Sequence, residues 1–297
     1  KLLFYYLIII FMNFKDQLTY RILKRFSVFT GRLSENRREK LARRLATFIY
    51  YLLPIRKKQA LNNLKNAFPE KDFGWIKKQL KGTYNIVSNN FIDFLSLSRS
   101  YSKIRFRIEN QDVLDDAVNK NKGVLLITGH FGLWEKWGSW FGNNNYDIWG
   151  VIQKQANKGA DLFFKEIRES YGMNHIYRKS SVDKIYDLIK NNKIIILASD
   201  QNAKKRGVIV EFFGKKTSIP KGAALFHLRT NVPLIFSVGH RDPDGTIVIS
   251  FEKINVESNT IEGITQDYTK KLEAKIREHP DHYFWFHRKW SRIMENE

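Results

Sequence analysis

The chain has 297 residues and no cysteine, which excludes a disulfide framework and a thiolate metal site while leaving ample material for a core. The 51 Lys and Arg residues against 30 Asp and Glu residues give a formal charge of +21. That balance favours an anionic partner, such as nucleic acid, a membrane surface, a phosphorylated substrate or an acidic protein.

An apolar run from Leu2 to Met12 follows Lys1. Its length falls short of the about 20 residues that a helix needs to span a bilayer, although the run could be the end of a longer span. The segment MNFKDQLTY that begins at Met12 has no small-residue cleavage site of a signal peptide. We therefore expect attachment to a membrane rather than secretion.

Basic residues dominate the segment from Arg21 to Lys65, where the only acidic residues are Glu35 and Glu39. Between them recur apolar residues, namely Leu41, Leu45, Phe48, Ile49, Leu52 and Leu53. This pattern favours amphipathic helices on an anionic membrane face, where each nearby basic residue contributes about 1 kcal/mol. Solvated helical faces are the alternative interpretation.

Strands and helices alternate in the rest of the chain. Strands are predicted at 124–127, 148–152, 194–197, 207–212, 232–238 and 246–251, and helices at 160–171, 182–189, from Pro220, and at 261–276. This order predicts an α/β fold with a mostly parallel or mixed central sheet flanked by helices. We divide the chain into an N-terminal helical membrane-associating region, 1–111, and an α/β domain, 112–297, within one continuous globular unit.

The stretch GVLLITGHFGLWEKW joins an apolar strand to a loop that holds a histidine and a carboxylate. On a continuous helix His130 and Glu135 would lie about 140° apart, so they can meet only if His130 precedes the helix. Gly129 and Gly132 permit such a turn. The pair predicts a general base and a carboxylate that orients it. Alternatively, His130 caps the helix and Glu135 interacts with the helix dipole.

The order of strand, His-x4-Glu and helix resembles the His-x4-acid motif of the glycerolipid acyltransferase superfamily. The sequence HFGLWE is similar to the motif in one branch of that superfamily, the lipid A biosynthesis acyltransferases. These are the lauroyl/myristoyl transferases that complete the membrane anchor of lipopolysaccharide. Three later blocks follow in the order of that branch, at 200–201, 212–214 and 284–290. Two positions depart from it: Leu133 replaces an Asn, and Gln153 with Lys154 replaces a Tyr-Arg pair.

The resemblance implies an O-acyltransferase that moves a fatty acyl chain from an acyl-carrier-protein or acyl-CoA thioester to a hydroxyl of a lipid A precursor. It implies His130 as general base, assisted by Glu135, and no cofactor beyond the thioester. The implied partners are acyl carrier protein, an anionic glycolipid and the membrane surface, without nucleic acid. The implied location is the cytoplasmic face of the bacterial inner membrane.

Two other functions stay open. The first is the same reaction on another acceptor, because Leu133 and Lys154 depart from the family. That acceptor would be another glycolipid, such as a phosphatidylinositol mannoside, or a glycerolipid. A non-enzymatic basic protein that binds membrane or RNA is supported only by the charge, and the sequence has no recognisable nucleic-acid motif.

Further residues are candidates for substrate binding. The fork of Arg168, which matches an arginine of the family, suits a phosphate or sugar carboxylate, although a surface pair with Glu166 or Glu169 is equally consistent with the sequence. Asp200 and Gln201 end a predicted strand, where α/β sheets place ligand-binding groups, but an Asp there is also a common turn residue. The full set is Phe131, Gly132, Lys154, Arg168, Asp200, Gln201, Phe213, Gly214, Thr217, His287 and Arg288.

The remaining members of that set come from two later segments. Phe213, Gly214 and Thr217 suit a loop that lets an acyl chain approach, whereas the aromatic FWFHRKW segment suits an interfacial belt with phosphate-binding charges. The alternative is simple packing for the first segment and a buried C-terminal strand end for the second. No metal site is expected, because H-E-x-x-H, Walker and G-x-G-x-x-G motifs are missing and the histidines are scattered.

Overall fold

The computed structural model describes residues 12–178, 180, 182–256 and 258–290. The predicted apolar run from Leu2 to Met12 lies outside the described residues except at Met12. The helices are α1 Phe14–Arg32, α2 Glu35–Leu52, α3 Lys57–Ala67, α4 Phe73–Ser100, α5 Gln111–Asn119, α6 Trp134–Asn143, α7 Lys158–Ser170, α8 Val182–Lys190, α9 Gly222–Thr230 and α10 Ile261–Glu278. The strands are β1 Phe106–Glu109, β2 Val124–Thr128, β3 Ile148–Ile152, β4 Met173–Tyr177, β5 Ile194–Ala198, β6 Val208–Phe212, β7 Lys215–Ile219, β8 Leu234–Arg241 and β9 Ile247–Lys253.

A seven-stranded sheet lies at the centre, in the strand order β1-β9-β8-β2-β5-β3-β4. The five strands from β8 to β4 run parallel, whereas β9 pairs antiparallel with β8 and β1 runs parallel to β9. The predicted α/β fold with a mostly parallel or mixed sheet flanked by helices is therefore confirmed.

Strand β2 is buried along its whole length. Its side chains alternate between the two core clusters, so that Leu125 and Ile127 face one cluster while Val124 and Leu126 face the other. Both faces of the strand are thus covered, which explains why its sequence is apolar without alternation.

The sheet differs from the predicted strands in two ways. The segment predicted at 207–212 forms β6, which pairs with β7 in a separate antiparallel hairpin rather than in the central sheet. Strands β1, β4 and β7 were not predicted, because their sequences FRIE, MNHIY and KKTSI mix polar and apolar residues and contain no apolar run. Strand β1 precedes residue 112 and lies at the edge of the central sheet.

The helices before the sheet pack on one another and on the sheet-covering helices. Helix α4 contacts α1, α2 and α6, and α1 contacts α7. The approach of α1 to α7 is close at Gly159, where a Cβ would lie 1.9 Å from the backbone oxygen of Asp16. Within the part of the chain that the structure describes, no helix has both the length and the apolarity required to cross a bilayer.

One basic residue of the predicted membrane-facing segment lies in the interior instead. Arg38 is 3% exposed, and its Nε lies 3.6 Å from Asp93 Oδ1. The Nζ of Lys136 lies 2.8 Å from the other oxygen of the same carboxylate. Arg38 therefore joins α2 to α4 and α6 and does not belong to a basic surface.

Candidate active site

The turn between β2 and α6 has the predicted order of strand, turn and helix. Gly132 has φ +59°, and its N–H donates to the backbone oxygen of His282 at 2.7 Å. A Cβ at this position would lie 1.9 Å from the backbone oxygen of Gly239. Both the backbone conformation and the close approach require glycine, so Gly132 shapes the loop that carries His130.

The His130 imidazole pairs with Asp200. Their Nδ1 and Oδ1 atoms are 2.8 Å apart, and the His130 backbone N–H donates to Asp200 Oδ2 at 3.1 Å. The sheet brings the two residues together because β2 and β5 are parallel neighbours in which Thr128 is level with Ala198. Each residue of the pair lies two positions beyond the end of its strand, at the edge where parallel sheets place functional groups.

Burial and charge act against each other in this pair. Asp200 is fully buried, whereas the His130 side chain is 28% exposed. Burial lowers the pKa of His130, but the Asp200 carboxylate outweighs it, so that the pKa is raised above its ordinary value. Burial raises the pKa of Asp200, but the neighbouring His130 outweighs it and the pKa is lowered. Asp200 is thus ionised at neutral pH and can hold the imidazole in the tautomer with a proton on Nδ1.

The predicted contact between Glu135 and the His130 ring is wrong. The Nδ1 atom of His130 contacts Asp200, and its Nε2 atom lies 3.3 Å from Gln201 Nε2. Glu135 instead accepts hydrogen bonds from Arg168, at 2.5 Å from Nη2 and 3.2 Å from Nε. The reason is the direction of the first turn of α6, where the Glu135 N–H donates to Asn90 of α4 and the buried carboxylate faces α7. A catalytic role for Glu135 stays a prediction, but it would not act by holding the imidazole.

The surroundings of Arg168 agree neither with a free anion-binding fork nor with a surface ion pair. Its side chain is 17% exposed, so it is not a surface arginine, and it pairs with neither Glu166 nor Glu169 but with Glu135. Burial lowers the pKa of Arg168, but Glu135 outweighs it and the pKa is raised. Because Nε and Nη2 already bind Glu135, that edge of the fork is not free to clamp an acceptor.

Some of the predicted substrate-binding residues gather around His130. Gln201 contacts the ring directly, and the His287 ring lies 5.5 Å from it, centre to centre. Burial lowers the pKa of His287 to about 4, so this imidazole is neutral near pH 7. Phe131, on the loop that carries His130, packs against the rings of His279 and His282, which follow α10.

Other predicted residues have different surroundings. The Thr217 hydroxyl donates to the backbone oxygen of Lys289 at 3.1 Å, and Phe213 packs on Phe68 and Trp285. Gly214 has φ +68°, and a Cβ at this position would have nothing within 4 Å. Two cations are exposed, namely Arg288 and Lys154, the latter with its Nζ 5.7 Å from the centre of the Tyr177 ring.

The sequence interpretation missed residues that the C-terminal segment brings to the site. The Phe284 N–H donates to the backbone oxygen of His130 at 2.9 Å, and the Tyr283 hydroxyl faces the Asp200 carboxylate, which together with burial raises the tyrosine pKa. Lys289 is 2% exposed and donates to the backbone oxygen of Asp200. The signal was present in FWFHRKW, where Lys289 belonged to the charges expected to bind phosphate, but only His287 and Arg288 entered the set of candidate site residues.

The chain is similar to known proteins over most of its length. The family model described as bacterial lipid A biosynthesis acyltransferase matches residues 5–292. A phosphatidylinositol mannoside acyltransferase of Mycolicibacterium smegmatis is 23% identical over 198 residues, which cover 64% of this chain and 65% of that protein. One of Mycobacterium tuberculosis (strain ATCC 25618 / H37Rv) is 22% identical over 203 residues, covering 67% of this chain and 63% of that protein.

The two relatives are therefore matched over slightly less than two thirds of their own length. The family model, by contrast, extends from the N-terminal region to the end of the FWFHRKW segment and includes the His130 turn, Asp200 and Arg168. Because that match covers nearly the whole sequence, the chain belongs to the bacterial lipid A biosynthesis acyltransferase family.

Proposed function

We propose that this protein is an O-acyltransferase that moves a fatty acyl chain from a thioester to a hydroxyl of an anionic membrane glycolipid. The observation that carries the proposal is the pairing of a partly exposed His130 with the buried Asp200 at the carboxyl edge of the sheet. An imidazole oriented through Nδ1 presents Nε2 as a base, and this is the group that a hydroxyl needs to become a nucleophile.

The reaction assigns one proton path to His130. Its Nε2 takes the proton of the acceptor hydroxyl while the oxygen attacks the thioester carbonyl, and the Nδ1 proton stays bonded to Asp200. Collapse of the tetrahedral intermediate forms the ester and breaks the C–S bond, and the imidazolium returns its proton to the departing thiolate. Gln201, whose amide nitrogen lies 3.3 Å from Nε2, would be a neighbour of the attacking hydroxyl in this step.

Glu135 and Arg168 support this centre without contacting the imidazole. Their pair, with the Tyr171 hydroxyl 3.5 Å from Glu135 Oε2, ties the first turn of α6 to the end of α7. The same turn begins four residues after His130 in the chain. We assign Glu135 the role of a positioning residue for the catalytic loop.

Two kinds of acceptor agree with the comparisons. The family model is described by lipid A, and the relatives are named for phosphatidylinositol mannoside. Both acceptors are glycolipids with phosphate groups, and the charge of +21 suits them. We propose acyl carrier protein as donor for the same reason, since it is acidic, and acyl-CoA as the alternative donor.

The surface of α1 supports a location at the cytoplasmic face of the bacterial inner membrane. Four large apolar residues of this helix are exposed, namely Phe14, Leu18, Ile22 and Phe29, which are 79%, 46%, 56% and 51% exposed. At about 100° per residue they fall within roughly 80° of one another around the helix, so they form one face. The exposed Arg21, Arg25 and Arg32 project along the edge of that face by the same spacing. An apolar face edged by cations suits an anionic bilayer.

The test is acyl transfer by the purified chain in mixed micelles. The donors are one fatty acid carried as the acyl-carrier-protein thioester and as acyl-CoA, and the acceptors are a lipid A precursor and a phosphatidylinositol mannoside. Mass spectrometry is expected to show one added acyl ester on one of these glycolipids, and no product with His130→Ala. Failure of all four combinations, or undiminished transfer by His130→Ala, would contradict the proposal.

A further inference from the structure

A lysine lies in the interior beside the His130 and Asp200 pair. The Nζ of Lys289 donates to the backbone oxygen of Asp200 and lies 4.4 Å from the centre of the Phe212 ring, in a cation–π contact. Lysines are almost never fully buried unless they are paired with an anion. The ionised Asp200 carboxylate is the anion that acts on this ammonium.

The backbone of Lys289 is held from several sides. Its N–H donates to the backbone oxygen of His287 at 2.9 Å. Its backbone oxygen accepts from Asn202 Nδ2 at 2.7 Å and from the Thr217 hydroxyl at 3.1 Å. These contacts come from the loop after β5 and from β7. They place the ammonium at one position and keep it out of the solvent.

We propose that Lys289 is a positioning residue of the active site, whose buried ammonium anchors the segment that presents Asp200 and supplies a fixed positive charge beside the Asp200–His130 pair. The inference rests on the proposed function, in which His130 is the base. It assigns a role to a residue that acts on the imidazole through Asp200.

The charged and titratable groups around Lys289 determine what its charge does. Asp200 faces the ammonium from the end of β5, and His130 faces it from the end of β2. His287 faces it from the same C-terminal segment, and Arg56, at the start of α3, also lowers the pKa of His287. The ammonium lowers the pKa of Asp200 and opposes the rise in the pKa of His130. Burial lowers the pKa of Lys289 itself to about 8, so it is charged at neutral pH.

Removal of this charge should make His130 hold its proton to higher pH. The variant is Lys289→Met, which keeps the length of the side chain and removes the ammonium. The readout is the titration of the His130 ring by NMR with ¹⁵N-labelled histidine, with the resonance assigned by its loss in His130→Gln. We expect the His130 titration to move up by about one pH unit. The acid limb of kcat/KM should move with it, which lowers the rate about tenfold at a pH below that limb.

Two further variants serve as controls. Lys253→Met removes an exposed cation that is level with the start of β8, whereas His130 follows the end of β2. This variant should leave the His130 titration unchanged. Lys289→Arg retains the charge and should keep the titration closer to that of the parent chain than Lys289→Met does. If circular dichroism shows that Lys289→Met does not fold, Lys289→Gln replaces it, because an amide can still donate to the Asp200 oxygen.

The outcomes separate this inference from the proposed function. An unmoved His130 titration in the folded variant, with an equal loss of rate at every pH, would overturn the inference and leave Lys289 as a packing residue. Undiminished transfer by His130→Ala would overturn the proposed function instead, and the NMR titration does not depend on turnover.

Discussion

The Arg168 guanidinium holds the Glu135 carboxylate through two hydrogen bonds, one to each oxygen. Their side chains are 17% and 10% exposed, so the pair is largely shielded from water. The Tyr171 hydroxyl adds a third contact, and burial together with Glu135 raises the tyrosine pKa well above its ordinary value. Two segments that lie 33 residues apart are joined in this way beside the loop that carries His130.

Removal of one partner of this pair should be strongly destabilising. We expect Arg168→Met to lower the free energy of unfolding by about 3 kcal/mol, because it leaves a buried carboxylate without a counter-ion. Urea unfolding measures the change. The double variant Glu135→Gln/Arg168→Met should lose clearly less than the sum of the two single variants, and additive losses would show that the two groups are not coupled.

The pH dependence of transfer should follow the His130–Asp200 pair. The base must be neutral, and Asp200 raises the pKa of His130, so kcat/KM should rise with pH through a value above the ordinary 6.5. Asp200→Asn removes the carboxylate, and the acid limb should therefore move to lower pH. Its maximal rate should also fall, by about a hundredfold or more, because the amide does not hold the reactive tautomer.

The control for that prediction is Asp187→Asn, which removes one carboxylate from α8. Its acid limb should coincide with that of the parent chain. A limb that stays in place in Asp200→Asn would mean that another group sets the pH dependence.

Gly132 should not tolerate a side chain. Gly132→Ala introduces a Cβ at 1.9 Å from the Gly239 oxygen in addition to the cost of a positive φ. Gly214→Ala is the matched control, since Gly214 has φ +68° but nothing within 4 Å of the added atom. The control should cost about 1–2 kcal/mol of unfolding free energy through its backbone alone. Gly132→Ala should cost distinctly more in thermal or urea unfolding, and equal losses would show that the loop moves away without penalty.

The exposed face of α1 should bind anionic bilayers. Phe14→Glu/Ile22→Glu is expected to reduce co-sedimentation with vesicles of phosphatidylglycerol and phosphatidylethanolamine, because it removes apolar area and adds negative charge. Ile209→Glu, which alters an exposed apolar residue of β6, is the control and should bind like the parent chain. Binding should weaken in salt, since surface charges are screened over about 10 Å at 0.1 M. Undiminished binding by the double variant would place the contact elsewhere.

Local patterns were enough to predict the fold class and the turn that carries His130. Strand β2 is an unbroken apolar run because it is buried on both faces, and Gly132 follows His130 because only glycine fits there. Such features depend on residues within a few positions of one another. Strands β1 and β4 were not predicted, because their polar residues interrupt the local apolar pattern on which the prediction depends.

Which side chains pair in the candidate active site was decided by the tertiary structure alone. Asp200 lies 70 residues beyond His130 in the chain, and it reaches the imidazole because β2 and β5 become parallel neighbours. Glu135, only five residues from His130, points instead to Arg168, because the first turn of α6 faces α7. Proximity along the sequence therefore favoured Glu135, which is not the carboxylate that contacts the imidazole. The order of the strands determines which side chains meet at the carboxyl ends of a parallel sheet, and no local pattern of residues encodes that order.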